Sequence, residues 1–482
     1  MEGPRRHRPL ATVVETISSS ARRILATPPR GRSPPPDARP ARTPAGVPMT
    51  TALPTRRLLA WRNAIFVIFA LSGISIASWV ARLPAVRDHL GIDTAQVGLL
   101  IFAMAAGSVV GLIAAPPLMA RIGARAGMVV VLCLVAAGLV GIGSGTGIAA
   151  AGLVAVSLAV FGFGNGAVDV MMNVEGAAAE RAIGKTLMPL MHAFFSFGTV
   201  AGAGIGALAS WLAVPVPVHL AIMAVVIVVA AFVAVRFVPE GAEAESAAAE
   251  AAADTAAHDT ATTDAAGLPA AGATPAKPPF RERLAQSLSV WRDLRLLAIG
   301  VIMLGMAFAE GSANDWLAIA VVDGYDQSNT TGAIAFGVFT VSMTLGRVAG
   351  GPVLDRFGRV PVLRVSAALG VLGLVAFIFA PVPWVAFVGA AFWALGCSLG
   401  FPVGMSAAAD TDDPKLSAAR VSAVAIIGYV AFLVGPPVIG LLGHEFGILN
   451  ALLVVLVLVV LAGLASPAAR EPGRRPAATH KM

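Results

Sequence analysis

The sequence predicts an all-α integral membrane protein in which twelve transmembrane helices form two pseudo-symmetric six-helix bundles. Three observations predict it. Of the 482 residues, 57% are hydrophobic and only 13% are charged, too few to clothe a water-soluble globule of this size. Asp, Glu, Lys and Arg are absent from residues 126–168, 186–235 and 365–409, although a single helical crossing needs only about 20 apolar residues. The first half of the chain also maps onto the second. At an offset of 235 residues, GLIAAPPLMARIGA at 111–124 falls on GRVAGGPVLDRFGR at 346–359, pairing Gly111 with Gly346, Arg121 with Arg356 and Gly123 with Gly358. Trp79 and Trp316 match at the neighbouring offset of 237. A transmembrane β-barrel would need alternating segments of about ten residues instead of unbroken apolar ones.

Residues 1–60 are rich in Pro and Arg and read as a disordered basic cytoplasmic tail, an organellar transit peptide being the other reading of so acid-poor a start. Met49 offers a second possible start, because a complete cytosolic flank and first helix follow it. The N-terminal bundle spans 61–238. Its first two helices fit around 65–81 and 96–119, and the two long charge-free runs after them are helical hairpins with turn signals GSGTG at 143–147 and VPVPV at 214–218. Residues 239–294 form a cytoplasmic linker that carries seven acids and no Lys or Arg between Glu240 and Asp264. The basic stretch 281–295 is either an amphipathic surface helix or a solvated flank. The C-terminal bundle, 295–466, has single crossings around 296–320, 334–354, 421–443 and 448–465, and a hairpin over 365–409 that turns at APVPW, 380–384. A cytoplasmic tail, 467–482, ends the chain.

Orientation follows from the basic residues. Loops after even-numbered helices carry Arg121, Arg125, Arg181, Lys185, Arg356, Arg359, Arg364, Lys415 and Arg420, while the opposite loops carry only Arg82 and Arg87. Both termini are therefore expected in the cytoplasm of a cell whose inner (plasma) membrane the chain crosses repeatedly. The net charge of +7 is spread over these loops and not gathered on one folded face, which argues against nucleic acid as a partner. Cys133 and Cys397 both fall inside helices and suggest neither a disulfide framework nor a metal cluster. The glycine runs at 161–166 and 198–208 have no preceding strand and no phosphate-binding lysine, so close helix packing accounts for them.

GPVLDRFGR at 351–359 sets an aspartate and two arginines at the end of an apolar helix. With the duplication and the 6+6 helix count, it resembles the loop signature of the major facilitator superfamily: Gly351, Asp355, Arg356, Gly358 and Arg359 fill every signature position. The first-half version is eroded, with Pro116 for the glycine and Ala120 for the aspartate, but it keeps Arg121 and Gly123. DVMMNVEGAAAERAIGKTLMPLMHAFFSFG at 169–198 and EGSANDWLA at 310–318 are similar to a bacterial branch near the fucose permeases. The resemblance implies a cytoplasmic gating motif in which Asp355 engages a neighbouring base or helix terminus when the inner side is closed. Positive-inside charges with one compensating acid are the plainer account of the same residues.

Charge inside a bilayer is costly, so intramembrane polar groups are the candidates for solute and proton. Asn165, Asp169 and Asn173 recur at i, i+4 and i+8 on one face of helix 4, and His192 in helix 5 could share a proton with Asp169 through water. Glu310 and Asn314 repeat the spacing in helix 7. Trp393, in mid-helix, is a candidate for the cavity wall. A structural interhelix hydrogen bond is the alternative for both acids. Asp315 reads as a solvated helix end, Trp79 and Trp316 as interfacial belt residues, Arg82 as an outer anchor, and Arg347 as either reaching the cytoplasm or holding an acid.

Together these features predict a secondary active transporter that moves a small polar solute, sugar-like or another metabolite, by alternating access with protons as the coupling ion. Proton-antiport efflux of drugs or metabolites is the rival within transport, and a transporter-like receptor or scaffold the rival outside it. No enzyme activity and no cofactor is expected: no nucleophile–base pair, metal-ligand cluster or Walker motif is present.

Overall fold

The computed structural model describes residues 54–184, 187–240, 289–411 and 414–471. The basic tail, most of the acidic linker and its basic flank, Lys185 and the C-terminal tail beyond residue 471 lie outside the described residues. What is described is helical: α1 Thr55–Val80, α2 Leu83–Leu90, α3 Thr94–Gly147, α4 Ala151–Ile183, α5 Met188–Trp211 and α6 Val216–Val235 in the first half. The second half has α7 Leu294–Tyr325, α8 Asn329–Phe357, α9 Arg359–Ile378, α10 Pro383–Cys397, α11 Gly400–Ala409, α12 Pro414–Phe446 and α13 Ile448–Ala465.

The helix boundaries follow local chemistry. Asp93 caps α3 in a capping box, accepting from the Gln96 N–H at 2.8 Å while the Gln96 side chain accepts from the Asp93 N–H at 3.1 Å. Asp293 caps α7, accepting from the Arg295 and Leu296 N–H groups, and Ser328 caps α8, accepting from that of Thr331. The GSGTG segment remains helical as the last turn of α3, and the chain reverses one step later, over 148–150, because that segment still completes its i→i−4 bonds at the membrane edge. The other two hairpins turn at 212–215 and 379–382, beside the Pro-containing signals.

Eleven described helical segments are long and apolar enough to cross a membrane. One of them, α3, has 54 residues, about 80 Å of helix against a hydrocarbon core of about 30 Å. It is two crossings joined at Gly123, where φ is 77° and ψ 161°. The second half repeats this joint at Gly358, φ 77° and ψ 168°, between α8 and α9. That conformation is open to glycine and costly for any side chain. The tenth crossing is α10 and α11, broken at Ser398–Leu399. Outward faces are apolar, with Val225, Leu372 and Leu464 more than half exposed, a surface suited to lipid and not to water.

Within the first half α1 packs on α5, and α3 on α4 and α6; the second half repeats the scheme as α7 on α12 and α9 on α10 and α13. Glycine permits the closest of these approaches. A Cβ on Gly162 would lie 1.9 Å from the Met104 carbonyl oxygen, and one on Gly166 2.1 Å from that of Ser108, so α4 touches α3 through its backbone. The halves meet along α3 with α12 and α5 with α8. Trp79 and Trp316 are both fully buried and do not form an interfacial belt. Arg82 is buried as well: its Nη2 donates at 2.7 Å to the Val214 carbonyl oxygen, holding the turn between α5 and α6, so it is not an anchor in the lipid headgroups.

Candidate substrate cavity

A cavity of about 240 Å³ lies between the halves. From the first half it is lined by α1 (Ile76, Val80), the first crossing of α3 (Ile101, Met104, Ser108) and α4 (Phe161, Asn165). From the second half come Asn314 and Asp315 of α7 and Tyr429 and Phe432 of α12. Asn165 is buried, with its Oδ1 accepting from Ser75 Oγ at 3.2 Å and Ser72 Oγ at 3.4 Å, and its Nδ2 donating to the Phe161 carbonyl oxygen at 3.1 Å. That network fixes one polar amide against α1.

Asp169 follows one turn beyond Asn165, about 6 Å along α4 toward the Gly123 end. It is half-buried, accepts from Asn173 Nδ2 at 3.2 Å, and its charge reaches the phenol of Tyr429 across the seam. Asn173 donates to the Asp169 carbonyl oxygen as well, at 2.8 Å. The i, i+4 spacing therefore brings Asp169 and Asn173 together. His192 donates no hydrogen bond to Asp169: its ring lies edge-on to Phe69, centroids 5.3 Å apart, and it sits within electrostatic reach of Arg347. Glu310 pairs with Arg347, Oε1 to Nη2 at 2.7 Å, joining α7 to α8. Arg347 thus holds an acid.

Two expectations change. Trp393 is fully buried in the core of the second half, edge-on to Phe339 at 5.8 Å and Phe377 at 5.7 Å, and away from the cavity wall. Close contact of α10 with α9 through Gly373 and Gly389 turns that face of α10 toward its own bundle. Asp315 is on the cavity wall and is not a solvated helix end. Its neighbour Trp316 packs under Gly440 of α12, and one residue of helical rotation swings Asp315 into the space between the halves. Tyr429, one of only two tyrosines in the chain, carried a signal that sequence reasoning passed over. Glu175 was passed over too. It is buried toward the far end of α4 beside Trp61, and its Oε2 and the indole N–H have no partner within hydrogen-bond geometry among the described residues.

Polar contacts across the seam gather at one end. Arg87 of α2 pairs with Asp323 of α7, Asp88 accepts from Asn329 Nδ2 at 2.9 Å, and Ser210 Oγ meets Thr330 Oγ1 at 3.0 Å. There α3 and α12 touch almost bare: a Cβ on Gly98 would lie 3.0 Å from the Pro436 carbonyl oxygen and 3.3 Å from the Gly440 Cα. The Gly351–Arg359 motif lies at the opposite, basic end. Gly351 and Asp355 are exposed on α8, and Asp355 has a partner. Arg356 stacks over Phe357 at 5.3 Å, and Arg121, its first-half counterpart, is exposed. Arg359 binds Asp410 and donates to Ser406 Oγ at 2.8 Å, tying the α8–α9 joint to α11. Arg420, nearly buried, pairs with Asp293 and donates at 3.1 Å to the Ala408 carbonyl oxygen. Burial alone would raise the pKa of Asp293, but hydrogen bonds from Arg420 and from the Leu296 and Arg295 N–H groups, with the charge of Arg420, outweigh it and hold the carboxyl below its ordinary range.

A family model for the Major Facilitator Superfamily matches residues 17–179, 65–329 and 316–481. The uncharacterized transporter y4wD of Sinorhizobium fredii is 26% identical over 426 residues, 86% of this chain and all of that protein. The nucleoside transporter NupG superposes with a TM-score of 0.63 at 14% identity, covering 86% of this chain and 99% of that one. The Escherichia coli fucose:proton symporter FucP superposes with a TM-score of 0.51 at 17% identity, covering 85% and 98%. At these identities the two structures speak for the fold alone.

Proposed function

The chain belongs to the Major Facilitator Superfamily, and from that premise we propose that it is a proton-coupled secondary transporter that moves a small solute by alternating access through the cavity between its halves. The observation that carries the proposal is the seam itself. A cavity lined by both bundles is sealed at one end by cross-seam contacts, while the basic end holds the family's gating signature. Arg121, Arg125, Arg181, Arg356, Arg359 and Arg420 all lie at that basic end, which the positive-inside rule assigns to the cytoplasm of a bacterial inner membrane. The conformation is accordingly the one closed to the outside, with both termini in the cytoplasm.

Asp169 is the proposed carrier of the coupling proton. It adjoins the cavity, faces Tyr429 of the other half, and has no basic partner among the described residues, whereas Glu310 is already neutralised by Arg347. Protonation would remove a charge that resists burial as the halves close. That FucP is a fucose:proton symporter favours the same coupling. The test is paired uptake and counterflow in proteoliposomes with an imposed pH gradient. Asp169→Asn, which mimics the protonated acid, should abolish concentrative uptake while exchange survives. Continued accumulation by that variant moves the role elsewhere, and wild-type accumulation that ignores the gradient removes proton coupling.

A further inference from the structure

We infer that the cavity recognises a small organic cation, a protonated amine on a compact apolar body, with Asp315 as its counter-ion. The inference rests on reading the cavity as the solute site. Asp315 is the only Asp, Glu, Lys, Arg or His among the described residues that line it, and no hydrogen bond or ion pair from a described residue reaches its carboxylate. Arg347 is off the wall and committed to Glu310. A carboxylate facing a mostly apolar cavity without a partner is unstable unless a counter-charge arrives with the ligand.

The rest of the wall fits the same class. The rings of Phe161, Tyr429 and Phe432 border the cavity, and aromatic faces attract an ammonium group. Asn314 and Asn165 offer neutral amides for a second polar substituent. An anionic solute would meet Asp315 with like charge and find no lining base. The volume of about 240 Å³ equals that of about eight waters, which suits a single ring and not a disaccharide or a nucleotide.

A proton could also neutralise Asp315, and the experiment separates the two. The full chain in lipid nanodiscs is titrated with cyclohexylamine, cyclohexanol and cyclohexanecarboxylate, which share a skeleton and differ in charge, with binding read by calorimetry and by thermal unfolding. The amine should bind at least about tenfold tighter than the alcohol, as expected of a charge-assisted hydrogen bond, and the carboxylate more weakly than either. Asp315→Asn should erase the preference, Asp315→Glu should keep it, and Asp326→Asn, in an exposed turn, should leave it unchanged. A wild-type protein without an amine preference overturns the inference with no variant needed, and so does a preference that survives Asp315→Asn. Counterflow is read separately in proteoliposomes. Amine preference without counterflow removes the transport reading and keeps the ligand class, whereas counterflow of a neutral solute untouched by Asp315→Asn does the reverse.

Discussion

At Gly123 the chain passes from one crossing to the next at φ 77°, ψ 161°, and at Gly358 it does so again at φ 77°, ψ 168°. The backbone is the same, yet the surroundings are not. Around Gly358, Arg359 binds Asp410 and Ser406, its own side chain 16% exposed. Around Gly123, Ala120 stands where the second half has Asp355, and Arg125 reaches Glu240 only at 3.5 Å, the two side chains 40% and 81% exposed. The difference teaches that two demands were superimposed in one motif. Reversal of a helix at the membrane edge needs a glycine twice, whereas cross-bracing by charge is needed only where a broken tenth crossing, α10 and α11, has an end to be held.

The sharpest way to break the comparison is to give each joint a side chain. Gly358→Ala and Gly123→Ala should each lose about 1–3 kcal/mol of stability, since both impose the glycine-only conformation on a Cβ. Denaturant titration in micelles checks this, and a marked inequality between the two would mean that the charges, and not the backbone, set the cost. Next in size, Arg359→Gln should lower stability by about 1 kcal/mol, with earlier proteolysis near Asp410. The acid limb provides a third test. Because the folded-state pKa of Asp293 is depressed, its contribution is present above the ordinary carboxylate value, about 3.9, and disappears as pH falls through the lower folded value. Asp293→Asn should therefore flatten the loss of thermal stability below about pH 4, and an unchanged acid profile would remove the Arg420 pair from the bracing. Smallest of all, Arg125→Gln should shift stability by no more than about 0.5 kcal/mol, because the pair is exposed. A loss as large as that of Arg359→Gln would erase the contrast between the halves.

Spans, duplication and the Gly358 motif were legible because they are written in runs of residues: charge-free stretches, an offset of 235, fixed spacing. The cavity was only partly legible. Asn165, Asp169 and Asn173 declare one face by their period, but the polar residues of α7, Glu310, Ser312, Asn314 and Asp315, are spread around the helix, and α12 has no polar stripe across its span to say which side meets the other half. One position of rotation separates Trp316, locked under Gly440, from Asp315 in the cavity, and a single sequence has no mark for that angle. Trp393 fails for the same reason. The Glu310–Arg347 and Arg420–Asp293 pairs join different helices, 37 and 127 residues apart, and only the fold brings them together.

The contact between Gly98 and the Pro436–Gly440 stretch bears on kinetics. Two helices that meet largely through peptide backbone have few side chains to disengage, so parting them at this end requires few rotamers to change. The polar pairs Arg87–Asp323 and Asp88–Asn329 lie nearer to solvent, where water can replace each bond as it breaks. Opening on this side is therefore a low-friction step, smooth surfaces sliding apart instead of knobs withdrawing from holes. At the other end Arg359, Asp410, Arg420 and Asp293 hold the helix ends of the second half against one another, so that half keeps its internal packing while the seam opens.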